Sequence, residues 1–161
     1  IIDFLKEKYN DELKKNIVIT DATGGLGGNT ISFAKIFYKV ISIEICKNRF
    51  KLLENNINAF KFENVTLYND DFLKIIDDLK QDIIFIDPPW GGPDYKLKKL
   101  IDITINDIEL HEIVNNLYSK CKIVCLKLPK NFNINIFVSN IDYPIYKYYI
   151  KNLLILIVDI S

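Results

Sequence analysis

Cysteine is scarce in this chain: three residues among 161, an odd number with no Cys-x-x-Cys pair. That count supplies neither a disulfide framework nor the ligand spacing of a zinc site, and it fits a reducing, intracellular compartment. No metal is expected. A long apolar run is also missing. No stretch approaches the roughly eighteen residues that a spanning helix needs. The opening Ile1-Ile2-Asp3-Phe4-Leu5-Lys6-Glu7 carries acids and has no apolar core of signal-peptide length. No membrane partner is expected either. Net charge is absent as well, since 21 basic and 21 acidic side chains cancel. A general basic sheath for nucleic acid is thereby excluded, so any phosphate contact has to be local. Alanine is rare beside isoleucine, asparagine and lysine, the bias of an AT-rich genome such as those of some large DNA viruses and protists.

What is present is globular. Hydrophobic residues make up 49% and charged residues 26%, which argues against disorder. A chain of this length forms one domain, here 1–161, and buries roughly two thirds of its unfolded surface. No repeat or linker interrupts it.

Apolar periodicity predicts an alternation of helices and strands. Phe4, Leu5, Tyr9 and Leu13 give a short N-terminal helix within 1–16. A strand over 17–20 ends at Asp21 and a glycine cluster, and Asn29 and Thr30 offer a cap for a helix to about Phe37. Strand 39–45, helix 48–59, strand 65–68 and helix 72–79 follow. The apolar strand 82–86 is stopped by Asp87-Pro88-Pro89. Then come helix 108–118, strand 123–128, and two apolar segments, 145–150 and 153–160. Their joint, Lys151-Asn152, is too short for a crossover and suits a hairpin. The expected fold is therefore α/β: a mostly parallel, seven-stranded sheet with helices on both faces and a C-terminal antiparallel hairpin.

Ligands of such sheets sit beyond the carboxyl ends of the strands. Asp21, Glu44, Asp71 and Asp87 each fall near such an end. The turn Asp21-Ala22-Thr23-Gly24-Gly25-Leu26-Gly27-Gly28-Asn29-Thr30 lets backbone approach a ligand. Thr30 stands where the dinucleotide pattern would put its third glycine, so a smaller adenosine cofactor is favoured over a pyrophosphate. Glu44, 23 positions after Asp21, can accept both hydroxyls of a ribose. Asp71 can accept from an adenine amine or serve as a plain helix cap.

The segment Asp87-Pro88-Pro89-Trp90 carries a second chemistry. An exocyclic base amine is a poor nucleophile because its lone pair is delocalised into the ring. Acceptors at the Asp87 carboxylate and the Pro88 carbonyl localise that pair and absorb the developing positive charge. Two prolines hold the segment rigid, and Trp90 can stack on the base. The pattern of Asp, Asn or Ser, then Pro-Pro and an aromatic, marks amino-methyltransferases.

The extension Gly91-Gly92-Pro93-Asp94-Tyr95 narrows it. The nine residues closely resemble the Ser-Pro-Pro-Trp-Gly-Gly-Pro-Asp-Tyr signature of trimethylguanosine synthases, the RNA cap guanine-N2 methyltransferases, matching eight of nine positions. The glycine turn resembles that family's loop at Asp21, Ala22, Gly25, Gly27, Gly28, Asn29 and Thr30, and Leu128-Pro129-Lys130-Asn131 resembles its Leu-Pro-Arg-Asn. The resemblance implies a Rossmann-like class I fold and S-adenosylmethionine held by Asp21, Thr23, Gly25, Gly27, Asn29, Thr30, Glu44, Asp71 and Asp87. It implies catalysis by Asp87, Pro88 and Trp90, and a 5′-capped RNA whose 7-methylguanosine meets Trp90, Asp94, Tyr95, Lys130 and Asn131. A flat cation on tryptophan suits that assignment. The implied setting is the nucleus or cytoplasm, a viral cytoplasmic factory included. About sixteen residues precede Ile17, so the helical lid of the family is expected elsewhere in a longer protein, in a partner chain, or not at all.

Asp87 replaces the signature's serine, which keeps an adenine-N6 methyltransferase as an alternative. A cap- or cofactor-binding subunit without turnover is a third reading. His111 stands alone and reads as structural. Cys121 and Cys125 read as core, the lysines at 96, 98 and 99 as solvated, and Tyr143, Tyr146, Tyr148 and Tyr149 as sheet packing.

Overall fold

The structure is a computed structural model and describes residues 1–10 and 12–161. Two short helices, α1 (Ile2–Tyr9) and α2 (Glu12–Lys15), occupy the stretch for which the sequence predicts one. Their only buried residues are Leu5 and Leu13, one anchor per helix. Asn10 after α1 takes a φ of 49°, which cannot continue a right-handed helix. Position 11 of that stretch lies outside the described residues.

The first of two compact units, Ile1–Phe85, continues as a repeated strand and helix. In order these are β1 (Val18–Asp21), α3 (Gly28–Ala34), β2 (Lys39–Ile43), α4 (Lys47–Phe60), β3 (Val65–Tyr68), α5 (Phe72–Ile75) and the start of β4 (Ile83–Ile86). Neighbouring strands are parallel: Ile19 lies opposite both Val40 and Ile83, and Val40 opposite Val65. Parallel strands need crossovers, and α3, α4 and α5 supply them. Every residue of β4 is buried, so its sequence is a continuous apolar run rather than an alternation. The expected cap at Asn29 and Thr30 is corrected. Gly27 is the N-cap of α3 with no side-chain hydrogen bond, because Thr30 lies inside the helix and its hydroxyl is used elsewhere. The helix expected over 72–79 is one α turn followed by a 3-10 turn, Ile76–Asp78.

The second unit, Ile86–Ser161, opens with the Pro-Pro segment and a 3-10 helix, Pro93–Leu97. A two-stranded ribbon, β5 (Thr104–Ile105) and β6 (Ile108–Glu109), follows, so α6 (Leu110–Asn116) begins later than its apolar spacing predicts. Asn106 and Asp107 close this ribbon with φ of 52° and 64°, the left-handed values these two residue types tolerate best after glycine. Then come β7 (Ile123–Pro129), α7 (Ile134–Ser139), β8 (Ile145–Ile150) and β9 (Leu153–Asp159). The sequence reading leaves α7 out, since it is a six-residue helix with one buried side chain, Phe137. The hairpin is as expected: β8 and β9 are antiparallel with Ile150 opposite Leu153, and β9 runs antiparallel to β7 from Ile123↔Asp159 to Pro129↔Leu153.

The seven strands form one sheet in the order β3-β2-β1-β4-β7-β9-β8. This is the mostly parallel sheet with an antiparallel closing hairpin that the sequence predicts. Leu154 to Val158 of β9 are buried between two neighbours, whereas β8 is an edge. Tyr146, Tyr148 and Tyr149 on β8 therefore stay 41%, 40% and 57% exposed, and sheet packing covers them only in part. Cys121 and Cys125 are core, as expected, and burial pushes the Cys125 thiol up to about 12.

Two substitutions test this account of the hairpin. Leu156 is fully buried, so Leu156→Ala should cost about 2–5 kcal/mol in urea unfolding. Lys151 holds a φ of 53° in a two-residue joint where glycine is favoured. Lys151→Gly should leave stability unchanged or raise it by up to about 1 kcal/mol.

Candidate functional site

Buried acids organise the first unit. Asp21, the last residue of β1, is fully buried, and its Oδ2 accepts from the Thr30 hydroxyl at 2.6 Å. The same hydroxyl lies 2.8 Å from the Ser42 hydroxyl on β2, and both residues are fully buried. Thr30 thus ties the first turn of α3 to the ends of two strands. Between Asp21 and Thr30 the glycine turn is pressed against β2. The Gly24 amide donates to the Ile43 carbonyl at 2.7 Å, and a Cβ on Gly24 would stand 2.4 Å from the Ser42 Oγ. Gly27 has a φ of 96°, and a Cβ there would meet Leu53 of α4 at 2.9 Å. Gly28 differs, with no atom within 4 Å of where its Cβ would be. The turn is packed on its inner side and open at the start of α3.

Glu44 follows β2 and is 4% exposed. A buried carboxylate is costly unless donors surround it, and four do. The Gly25 amide donates to Oε2 at 2.9 Å. The Cys46 amide donates to Oε1 at 2.7 Å, and Arg49 donates to Oε1 from Nε at 3.0 Å and from Nη2 at 2.9 Å. The carboxylate holds Arg49 above the ordinary guanidinium range through these hydrogen bonds. Arg49 is the donor on the outside, 55% exposed against 4% for its partner. Cys46 caps α4, and the backbone N–H groups of Arg49 and then Asn48 pull its thiol below the ordinary range. Asp71 is the N-cap of α5, accepting from the Leu73 amide at 3.1 Å. Thr23 and Asn29 stand half-buried in the same turn.

The second unit carries the Pro-Pro segment. Asp87 directly follows β4, and its Oδ2 accepts from the Lys127 ammonium at 2.6 Å. Pro88 is buried. Gly91 and Gly92 both take a φ of 83°, the region that favours glycine, and turn the chain into the 3-10 helix that bears Asp94 and Tyr95. Trp90 meets the Tyr95 ring edge-on, with centroids 5.2 Å apart and planes at 78°. The Trp90 indole N–H is buried and has no acceptor among the described residues. The Lys96 ammonium sits 5.8 Å from the Tyr95 centroid.

Asn131 holds this loop. Its side-chain amide donates to the carbonyls of Tyr95 and Lys98, at 2.8 and 2.9 Å. Asn131, expected from the resemblance to meet the substrate, thus has its side-chain nitrogen on the backbone of the loop that carries Tyr95. Asp94 and Lys130 are exposed. His111 lies beside Asp102, Glu109 and Asn133 in a small cleft. Among the described residues no group of three or more His, Cys, Asp or Glu side chains is arranged to hold a metal.

Three neighbours escape the sequence reading. Arg49 is the only arginine in the chain and stands five residues after Glu44. Lys127 is the one charge inside the apolar run of β7. Both carried a signal, since a singular or misplaced charge asks for a partner. Ser42 carried none, because a small polar residue in a strand is commonplace.

The sequence profile of the RNA cap guanine-N2 methyltransferase family matches residues 16–154. An uncharacterized protein of Acanthamoeba polyphaga mimivirus is 38% identical over 157 residues, covering 94% of this chain and 61% of that protein. The trimethylguanosine synthase of Schizosaccharomyces pombe is 32% identical over 115 residues, covering 67% of this chain and 43% of the enzyme. That of Saccharomyces cerevisiae is 25% identical, covering 73% and 40%. The chain thus spans between 40% and 61% of the length of these relatives. Among solved structures, a 16S rRNA N2 methyltransferase of T. thermophilus with AdoMet and guanosine superposes with a TM-score of 0.75 at 14% identity, over 99% of this chain and 42% of that one. An rRNA methylase of Streptococcus thermophilus gives 0.66 at 16% identity, over 99% and 93%. With a profile match over most of its length and a fold shared with methyltransferases, the chain belongs to the RNA cap guanine-N2 methyltransferase family.

Proposed function

We propose that this chain transfers a methyl group from S-adenosylmethionine to the exocyclic N2 amine of a 7-methylguanosine cap on RNA. The observation that carries the reading is the rigid segment after β4, where an acid, a buried proline and the only tryptophan stand in the order an amine acceptor requires.

The residues of the first unit fit an adenosine cofactor. A glycine turn whose inner side has no room for a Cβ, open at Gly28, admits a ligand close to backbone. Glu44 offers a carboxylate to the ribose hydroxyls. Three of its four donors come from two neighbours, Cys46 and Arg49, and only Arg49 donates through a half-exposed side chain. The ribose diol takes the place of the Arg49 donors, while the Gly25 and Cys46 amides keep the carboxylate in position. Asp21, Thr23, Gly25, Gly27, Asn29, Thr30 and Asp71 complete the binding set, Asp21 and Thr30 by fixing the turn.

When bound, S-adenosylmethionine supplies a methyl group on a positively charged sulfur. The chain's own residues prepare the amine. The Asp87 carboxylate and the Pro88 carbonyl accept its two N–H groups, which draws the nitrogen lone pair out of the ring and toward the methyl. The nitrogen so oriented by Asp87 and Pro88 would take the methyl, the sulfur keeping the electron pair of the broken S–C bond. The nitrogen then sheds one proton along its hydrogen bond to Asp87 and on to water. Trp90 faces the charged ring of 7-methylguanine, backed by the edge of Tyr95. A ligand acceptor reaching the Trp90 N–H would offset the cost of a buried unpaired donor, about 1–3 kcal/mol. Asp94 and Lys130 are exposed beside the same loop and meet the cap's sugar and phosphates, Lys130 as a point charge. Asn131 acts at one remove, through the carbonyls of Tyr95 and Lys98.

A second reading, methylation of adenine N6, draws on Asp87, because an acid at that position accepts equally from an adenine amine. Incubation with radiolabelled S-adenosylmethionine and either a 7-methylated cap dinucleotide or an adenine-containing oligonucleotide separates the two. Label on N2 of the methylated guanine is the expected result, and label on adenine alone contradicts it. Glu44→Gln should weaken binding of S-adenosylhomocysteine about 10- to 100-fold in calorimetry, the loss of a charge-assisted pair of hydrogen bonds. Trp90→Ala should raise the KM for the cap about tenfold or more and leave cofactor affinity within about threefold.

A further inference from the structure

Asp87 is the single position at which this chain departs from the nine-residue signature it resembles, an acid in place of serine. The added negative charge is met by a positive one. Lys127 Nζ donates to Asp87 Oδ2 at 2.6 Å, with the two side chains 28% and 21% exposed. Lys127 lies within β7, where Ile123, Val124, Cys125, Leu126 and Leu128 are all buried. A lysine in that row gives up apolar packing, and a partly exposed ion pair returns only about 0–1 kcal/mol. Stability alone is a weak reason for a charge there. The place of its partner, at the first residue of the amine-binding segment, is a stronger one.

We infer that Lys127 is a positioning residue for amine methylation: it neutralises Asp87 and fixes which edge of the carboxylate is presented to the amine. The inference rests on the amine-methylation reading but not on which base is methylated. A carboxylate that turns freely presents its acceptor lone pairs in many directions, and only one direction draws the amine lone pair toward the methyl. An ammonium on Oδ2 selects one. It also gives the segment the net charge it would have with serine, so that the pair as a whole behaves as a neutral acceptor. Lys127 does not touch substrate in this role. It acts through Asp87.

The test is a double-mutant cycle on the full chain, reading kcat and KM separately with a 7-methylated cap dinucleotide and with an adenine oligonucleotide. Lys127→Met should lower kcat about 10- to 100-fold with KM for S-adenosylmethionine within about threefold. Lys127→Arg, which keeps the charge and a donor, should restore kcat to within about fivefold. Asp87→Ser alone leaves an unpaired ammonium and should be slow, and Asp87→Ser with Lys127→Met should be about tenfold faster than the product of the two single effects. Lys127→Gln covers the case in which the methionine variant fails to fold. Equal kcat in the unsubstituted chain and in Lys127→Met or Lys127→Gln, or strict additivity across the cycle, overturns this inference alone. Failure of the unsubstituted chain to methylate either amine overturns it together with the proposed function.

Discussion

A carboxylate taken out of water must be given donors, and the first unit is arranged to supply them. Asp21 receives the Thr30 hydroxyl, and that hydroxyl bridges to Ser42. Glu44 receives the amides of Gly25 and Cys46 and the guanidinium of Arg49. The groups involved lie on four pieces of chain: the glycine turn, the start of α3, the end of β2 and, for both Cys46 and Arg49, the start of α4. The hydrogen bonds of the two buried acids thereby join four segments. The binding shape of the turn follows from that constraint, since Gly25 is pinned from one side by Glu44 and Gly24 from the other by Ile43.

In the second unit the acid after β4 is only partly buried. Asp87 is paired with a lysine from the middle of an apolar strand, and the loop beyond it is tied to the Asn131 amide and packs Trp90 against Tyr95. Most of this loop is exposed, including Leu97 at 85%. Its shape depends on the left-handed φ of Gly91 and Gly92 and on those two hydrogen bonds. All six glycines of the chain fall in this loop and in the glycine turn that leads into α3.

Much of this was legible in the sequence. The parallel strands were, because short runs rich in β-branched and aromatic residues between turn residues have few other uses, and the hairpin was, because two residues cannot cross a sheet. The strand-end acids were legible for the same reason the strands were. What escaped was set by small or tertiary effects. The ribbon before α6 depends on two left-handed residues and one pair of bridges. The split of α1 from α2 leaves one buried leucine in each, too little for periodicity to reveal. That Asn131 also clamps the loop through two carbonyls was not legible from its position. Lys127 and Arg49 could be found only by asking what a lone charge in an apolar strand, or a lone arginine near a strand-end acid, was paired with.

The most direct test of the account is a crystal structure of the chain with S-adenosylhomocysteine and a 7-methylated cap dinucleotide. It should have the ribose hydroxyls on Glu44 with Arg49 swung away, the methylated guanine against Trp90, and its N2 amine within hydrogen-bond distance of both the Asp87 carboxylate and the Pro88 carbonyl. A cap bound with N2 turned away from Asp87, or a cofactor product bound with Arg49 still on Glu44 and the ribose elsewhere, would contradict it.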